Sequence, residues 1–158
     1  VLTLAVHKDT IISGSGDYYI KLWTLEGECI RTLKGHTNPV LSLAIHKETI
    51  ISGSWDRTIK IWTMEGECVK TLEGHSQSVF ALAVHKDTII SGSDDKTIKV
   101  WNAGEVLKTF RGHSGAVNAV IYHPDGTRVL SGSVSPSLRT PSPTYTWRPR
   151  KTHTSCTR

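Results

Sequence analysis

The sequence predicts an all-β chain of about three and a half tandem four-stranded antiparallel units, on three observations. The phrase Ile12-Ser13-Gly14-Ser15 … Asp17 … Ile20-Lys21-Leu22-Trp23 returns at Ile51-Ser52-Gly53-Ser54 … Asp56 … Ile59-Lys60-Ile61-Trp62. It returns again at Ile90-Ser91-Gly92-Ser93 … Asp95 … Ile98-Lys99-Val100-Trp101, with each Trp and each Asp 39 residues from the one before. A Gly-His pair punctuates the same period at Gly35-His36, Gly74-His75 and Gly112-His113. Between these marks the apolar residues fall in short runs separated by turn signals, without a helical period. Self-similarity of this kind outranks other signals, because a repeat is one supersecondary unit that buries its faces only by stacking on its copies.

One complete copy shows the strands in order. Val40-Leu41-Ser42-Leu43-Ala44-Ile45-His46 is a short apolar run of strand formers, and the polar His46-Lys47-Glu48 turns the chain. Thr49 to Ser54 forms a second strand, and Trp55-Asp56-Arg57 a tight turn. Thr58 to Thr63 alternates with period two, the mark of a strand with one buried face. Met64-Glu65-Gly66-Glu67 supplies another turn, and Cys68 to Leu72 a fourth strand closed by Gly74-His75.

Gly-His, then Ser-Gly-Ser-x-Asp, then Ile-Lys-φ-Trp in units of this length resembles the WD40 β-propeller repeat. The naming dipeptide is degenerate, reading Trp23-Thr24, Trp62-Thr63 and Trp101-Asn102. The resemblance covers residues 1–133 and implies propeller blades in an incomplete ring. It also implies a hydrogen-bonded chain inside each blade, linking His36, Ser52, Asp56 and Trp62, and linking His75, Ser91, Asp95 and Trp101. Asp17 and Trp23 belong to the first blade's set, and His113 and Ser131 begin a fourth. The physics agrees, since a His, a hydroxyl, a carboxylate and an indole N–H can satisfy one another, and a connected network rigidifies a β-layer.

The fourth copy runs from Gly112-His113 through Val117–Tyr122 and His123-Pro124-Asp125-Gly126 to Val129–Ser133, and then the pattern breaks. Four of the six prolines fall at 136, 141, 143 and 149, in a Ser/Thr/Pro/Arg-rich segment that lacks ladder donors and core residues. Residues 134–158 therefore read as a separate tail, either a disordered extension or foreign sequence from a frame or splice change. The abruptness of the break favours the second. Rings close with about 4–8 blades, and the chain opens on Val1 in mid-repeat, so a piece of a seven-bladed parent is expected.

Composition narrows the function. Residues 1–133 balance 14 Lys+Arg against 14 Asp+Glu, and Arg139, Arg148, Arg150, Lys151 and Arg158 supply the whole net charge of +5. The high pI is thus a property of the tail and no sign of a basic groove, so nucleic acid is not an expected partner. Cys29, Cys68 and Cys156 form no disulfide framework. Cys29 and Cys68 share a repeat position with Val106, which reads as a small apolar packing site and favours a reducing compartment, cytoplasmic or nuclear. Neither a secretory leader nor a stretch of membrane-spanning length is present, so no membrane partner is expected.

No catalytic or metal site is expected, and no cofactor. Histidines repeated once per unit (His36, His75, His113, and His7, His46, His85, His123) point to different sectors and cannot converge on one ion. Ser-His-Asp recurs in every unit as a packing network and not as a nucleophile activated in a cleft. Asp94-Asp95 is a turn aspartate with an exposed neighbour. The tail's cations with Tyr145 and Trp147 offer charge and stacking for RNA or an acidic membrane, but without a folded platform a solvated tail is the better reading.

A non-enzymatic protein–protein interaction scaffold is the best reading. The resemblance places partner contacts on one face of the ring. They fall at the residue before the turn Asp (Gly16, Trp55, Asp94) and three and five past the Gly-His histidine (Pro39 and Leu41, Ser78 and Phe80, Ala116 and Asn118). The copies differ at these positions while agreeing in their frames. Trp55 and Phe80 are the aromatic anchors of that set; the competing reading packs Trp55 on a neighbouring turn. Gly-Glu-Cys-Ile-Arg-Thr-Leu-Lys-Gly-His also resembles repeats of F-box/WD-repeat ubiquitin-ligase subunits. None of those face positions is Arg, which argues against phosphate capture there. A third possibility is the WD40 portion of a larger kinase or NTPase, whose catalytic domain would lie outside this chain. Partners are expected to be proteins or peptides, with no small-molecule substrate.

Overall fold

The computed structural model of the protein describes residues 1–124, 126 and 128–134. The expectations for the tail, apart from Val134, lie outside these residues. Fourteen strands and no helix make up the described chain. The first sheet is β1 (Thr3–His7), β2 (Thr10–Gly14), β3 (Ile20–Trp23) and β4 (Cys29–Leu33), antiparallel in chain order. The second is β5 (Val40–His46), β6 (Thr49–Ser54), β7 (Ile59–Thr63) and β8 (Cys68–Leu72). The third is β9 (Val79–His85), β10 (Thr88–Ser93), β11 (Ile98–Asn102) and β12 (Glu105–Phe110). β13 (Val117–Tyr122) and β14 (Val129–Ser133) form a two-stranded fourth sheet.

The turns follow from local chemistry. Gly27, Gly66 and Gly104 take φ values of 92° to 96° between the third and fourth strands, where a side chain would be strained. Tyr18, Arg57 and Lys96 also sit at positive φ, one residue past each turn Asp, so the backbone there is held against its own preference.

The core lies between the sheets. Ile12, Ile20, Leu22 and Leu33 of the first sheet pack with Val40, Ile50 and Trp62 of the second. Ile51, Ile59 and Leu72 pack with Val79, Ile89 and Trp101. Ala81, Ile90 and Ile98 pack with Val117, Val120 and Val129. Small residues allow this approach: a Cβ on Gly53 would lie 2.7 Å from Val79 Cγ1, and one on Gly92 would lie 2.8 Å from Val117 Cγ1. Rim pairs cross each of the first two junctions. Glu48 takes Lys8 at 2.8 Å and His7 at 3.2 Å, and Asp87 takes Lys47 at 3.0 Å and His46 at 3.3 Å. These pairs hold the Glu48 and Asp87 carboxyls below their usual range, but they are exposed to water and contribute little. The first sheet's outer face is bare. Val1, Leu4, Val6 and Leu25 are exposed, whereas the residues 39 later, Val40, Leu43, Ile45 and Met64, sit in the first junction.

One expectation is corrected. Cys29 and Cys68 are exposed on the outermost strands, as is Val106, so the position tolerates Cys or Val because little contacts it and not because it is a packing site. The neighbouring residue is an extra one in the ladder. Trp23 pairs with Cys29 and Leu22 with Arg31, skipping Ile30, and Val69 and Leu107 are skipped in the same way. Ile30, Val69 and Leu107 stand exposed despite being aliphatic, because they lie with their neighbours on the outermost strand of each sheet, where four successive residues are uncovered.

Candidate functional site

Two layers of the fold bear on function: the buried polar chain in each blade and the rim that it fixes. In the second blade His36 Nδ1 lies 2.6 Å from Asp56 Oδ2, His36 Nε2 lies 2.7 Å from Ser52 Oγ, and Trp62 Nε1 donates to Ser52 Oγ at 2.8 Å. The third blade repeats this, with His75–Asp95 at 2.7 Å, His75–Ser91 at 2.7 Å and Trp101 to Ser91 at 2.8 Å. One tautomer satisfies every member: the indole donates to Ser, Ser O–H to Nε2, and Nδ1–H to the carboxylate.

The carboxylate ties three segments together. Asp56 accepts the Thr37 and Thr58 amides at 3.2 and 3.0 Å and the Thr58 hydroxyl at 2.6 Å. Burial alone would raise the Asp56 carboxyl, but the hydrogen bonds from His36 and Thr58 outweigh it and hold it far below the usual carboxylate range. Asp95 is lowered in the same balance, against burial, by Thr97 and His75. His75 is lowered by burial, which exceeds the pull of Asp95. The two directions fit one state at neutral pH, a neutral imidazole donating to an ionised carboxylate.

A serine 2.7 Å from a histidine that is itself 2.6 Å from an aspartate has the spacing of a nucleophilic triad. Burial decides against that chemistry. Ser52 and Ser91 are 0% exposed, and each hydroxyl already carries an indole N–H, so no carbonyl can reach it. Among the described residues no group of His, Cys, Asp and Glu is placed to hold a metal ion.

The end blades carry partial sets. Trp23 Nε1 donates to Ser13 Oγ at 2.8 Å. Ser13 was not singled out by sequence reasoning, although its place in the Ser-Gly-Ser phrase matches Ser52 and Ser91. Asp17 is exposed and caps its own turn through the Tyr19 amide. In the fourth blade His113 Nε2 lies 2.8 Å from Ser131 Oγ, and burial lowers the His113 imidazole.

The rim is built on these chains. The Trp55 amide donates to Pro39 O and the Asp94 amide to Ser78 O, both at 3.0 Å, and the Val134 amide reaches Ala116 O at 3.3 Å. In the second and third blades the residue before the turn Asp is thereby joined to the loop entering the inner strand, and Val134 takes the matching place in the fourth. Of the expected face positions, Gly16, Trp55, Asp94 and Asn118 are exposed, while Pro39, Leu41, Ser78, Phe80 and Ala116 are half-buried. Trp55 is 53% exposed, so it does not bury itself on a neighbouring turn. Phe80 follows Val79, which lies against Gly53, so Trp55 and Phe80 flank one inter-blade junction. Three further rim residues escaped sequence reasoning: Tyr18 (43% exposed), Tyr19 (36%) and Arg57. The signal for Tyr18 and Arg57 was the variation Tyr/Arg/Lys one place past the turn Asp, and for Tyr19 a Tyr where the other copies have Thr58 and Thr97.

Comparison with known proteins agrees with this geometry. The crystal structure of the computationally designed Ika4 protein is similar, with a TM-score of 0.81 and 32% sequence identity over 93% of this chain and 89% of that chain. No curated protein matches the chain. The WD40 family (WD domain, G-beta repeat) matches residues 27–63, 66–102 and 104–139, which is more than half of the sequence. Proteins of this family are generally non-catalytic scaffolds for protein–protein interaction. With three matched repeats, four-stranded blades and the repeated Trp–Ser–His–Asp chain, this chain belongs to the WD40 repeat family.

Proposed function

We propose that the chain binds a peptide segment of a partner protein across the rim, with Trp55 as the central anchor. The observation that carries this reading is a large aromatic 53% exposed on a backbone fixed at both neighbours. A side chain presented from a rigid turn loses little conformational freedom on binding, and aromatic anchors of this kind concentrate binding energy. Phe80 extends the apolar patch, Tyr18 and Tyr19 add amphipathic rings on the first turn, and Asp94 and Asn118 supply polar edges.

Capture of partner proteins from extract by the full chain tests this. Replacing Trp55 and Phe80 together by alanine should weaken capture by about 2–4 kcal/mol of binding, whereas removal of residues 134–158 should leave it nearly unchanged. If tail removal abolishes capture while the double variant binds normally, the tail is the functional element and the rim reading falls. A role in a ubiquitin-ligase complex is a second reading; it rests on the repeat phrase, and Arg57 beside Trp55 gives the rim a guanidinium for an anionic partner group. An intracellular location belongs to the same proposal, supported by the free, exposed thiols of Cys29 and Cys68.

A further inference from the structure

In the three complete sheets the second strand is flanked on both sides: β2 by β1 and β3, β6 by β5 and β7, β10 by β9 and β11. β14 holds the same place in the fourth blade, and among the described residues it pairs with β13 alone. Three more observations converge on its other side. Ser13, Ser52 and Ser91 each accept an indole N–H at 2.8 Å from the tryptophan ten residues later. Ser131, equally buried, has His113 but no indole among the described residues. A Cβ on Gly35 or Gly74 would meet the Trp62 or Trp101 ring at 3.0 or 3.2 Å, whereas one on Gly112 would meet nothing within 4 Å among the described residues.

The third observation is a groove. Between the third and fourth blades it measures about 450 Å³ and is lined by His85, Val100, Phe110, Tyr122 and Val129 among others. The repeat-equivalent groove between the second and third blades measures about 320 Å³, and Trp101 itself forms part of its wall. Tyr122 at the larger groove has its hydroxyl buried without a hydrogen-bond partner among the described residues.

We propose that the β14 edge and this groove form an acceptor for an extended strand supplied by another protein, one carrying the Thr-Ile-Lys-φ-Trp chemistry of β11. The incoming main chain extends the β13–β14 ladder, as β11 extends β9–β10. Its indole N–H donates to Ser131 Oγ, and its ring lies over Gly112 against Phe110 and Val129, as Trp101 lies over Gly74 in the third blade. The chain's own sequence does not fit. Trp147 follows Ser131 by 16 residues and not ten, with Pro136, Pro141 and Pro143 between them, and proline donates nothing to a ladder. A second copy does not fit either, because its β3, β7 and β11 are already held inside complete sheets. The surface is distinct from the Trp55 rim and does not depend on that reading.

The test uses the full chain and a fluorescein-labelled peptide with the sequence of residues 94–110, which carries β11 and β12. Anisotropy should show saturable binding that weakens at least about tenfold when the peptide's tryptophan is replaced by alanine. The backbone amides of Ser131, Gly132 and Ser133 should shift in the NMR spectrum on titration. Absence of saturable binding, or equal binding of the alanine peptide, overturns the proposal. Binding that appears only after residues 135–158 are removed also overturns it, since the acceptor is then filled by the chain itself.

Discussion

The third and fourth blades begin alike and end differently. Both open with Gly-His, both run an inner strand into a Ser-Gly-Ser strand, and both seat the histidine Nε2 on the first serine of that phrase, at 2.7 and 2.8 Å. The third then adds Asp95, Thr97 and Trp101, which close the chain of hydrogen bonds and fill the junction with the second blade. The fourth has two described strands, and among the described residues its junction holds no indole. The polar chain is therefore not a local ornament of the Gly-His loop. In the second and third blades the third strand supplies the indole and the turn before it the carboxylate, and together with the histidine they satisfy the buried serine.

Substitutions should separate the two blades most sharply at the tryptophan. Trp101→Ala removes a side chain 1% exposed and strands Ser91, and should cost about 3–5 kcal/mol in urea unfolding. Trp23→Ala, in the half-open first blade, should cost clearly less, and equal losses would mean that the junction contributes nothing. Next comes the glycine of the Ser-Gly-Ser phrase. Gly92→Ala would push a Cβ to 2.9 Å from the Val117 carbonyl oxygen and should cost about 1–3 kcal/mol. At Gly132 the nearest atom is Ala119 Cβ at 3.6 Å, so Gly132→Ala should be tolerated.

Asp95→Ala should destabilise by about 1–3 kcal/mol, because His75, Ser76 and Thr97 lose their acceptor. Asp17→Ala removes only a turn cap and should be nearly silent. The smallest effect is with pH. Burial lowers both His75 and His113, so the unfolded chain binds more protons than the folded one just below their usual value of about 6.5. Stability is then complete above that pH and falls as pH drops through the folded values. A second loss begins below about 4, where the unfolded counterparts of Asp56 and Asp95 start to protonate. Denaturant midpoints that stay flat from pH 7 to 5 would show that the two imidazoles are not buried as neutral groups.

Much of this was legible in the sequence, because a repeat states each contact three times. Strand order and turns could be read from spacing, and the resemblance to the WD40 repeat implied the partners of His36 and His75. Exposure could not. Cys29, Cys68 and Val106 share a position whose apolar character suggests packing, yet they lie on the outermost strand of each sheet, where little covers them. The rim pairs joining Glu48 to His7 and Lys8 were missed for a different reason. They link one copy to the next, and a copy read alone does not reveal which side chains its neighbour presents. Phe80 proved half-buried because its strand runs down into a junction, while Trp55, in a turn, stands clear.

The placement of every apolar cluster between sheets also governs how the chain responds to load. A pull applied between Val1 and Ser133 passes through three junctions in series, so each bears the full force and the weakest one sets the breaking point. The first two junctions each hold a tryptophan and a crossing ion-pair cluster, while among the described residues the buried core of the third is aliphatic, with Phe110 and Tyr122 packed against it. Rupture should begin there and peel the fourth blade away while the first three stay stacked.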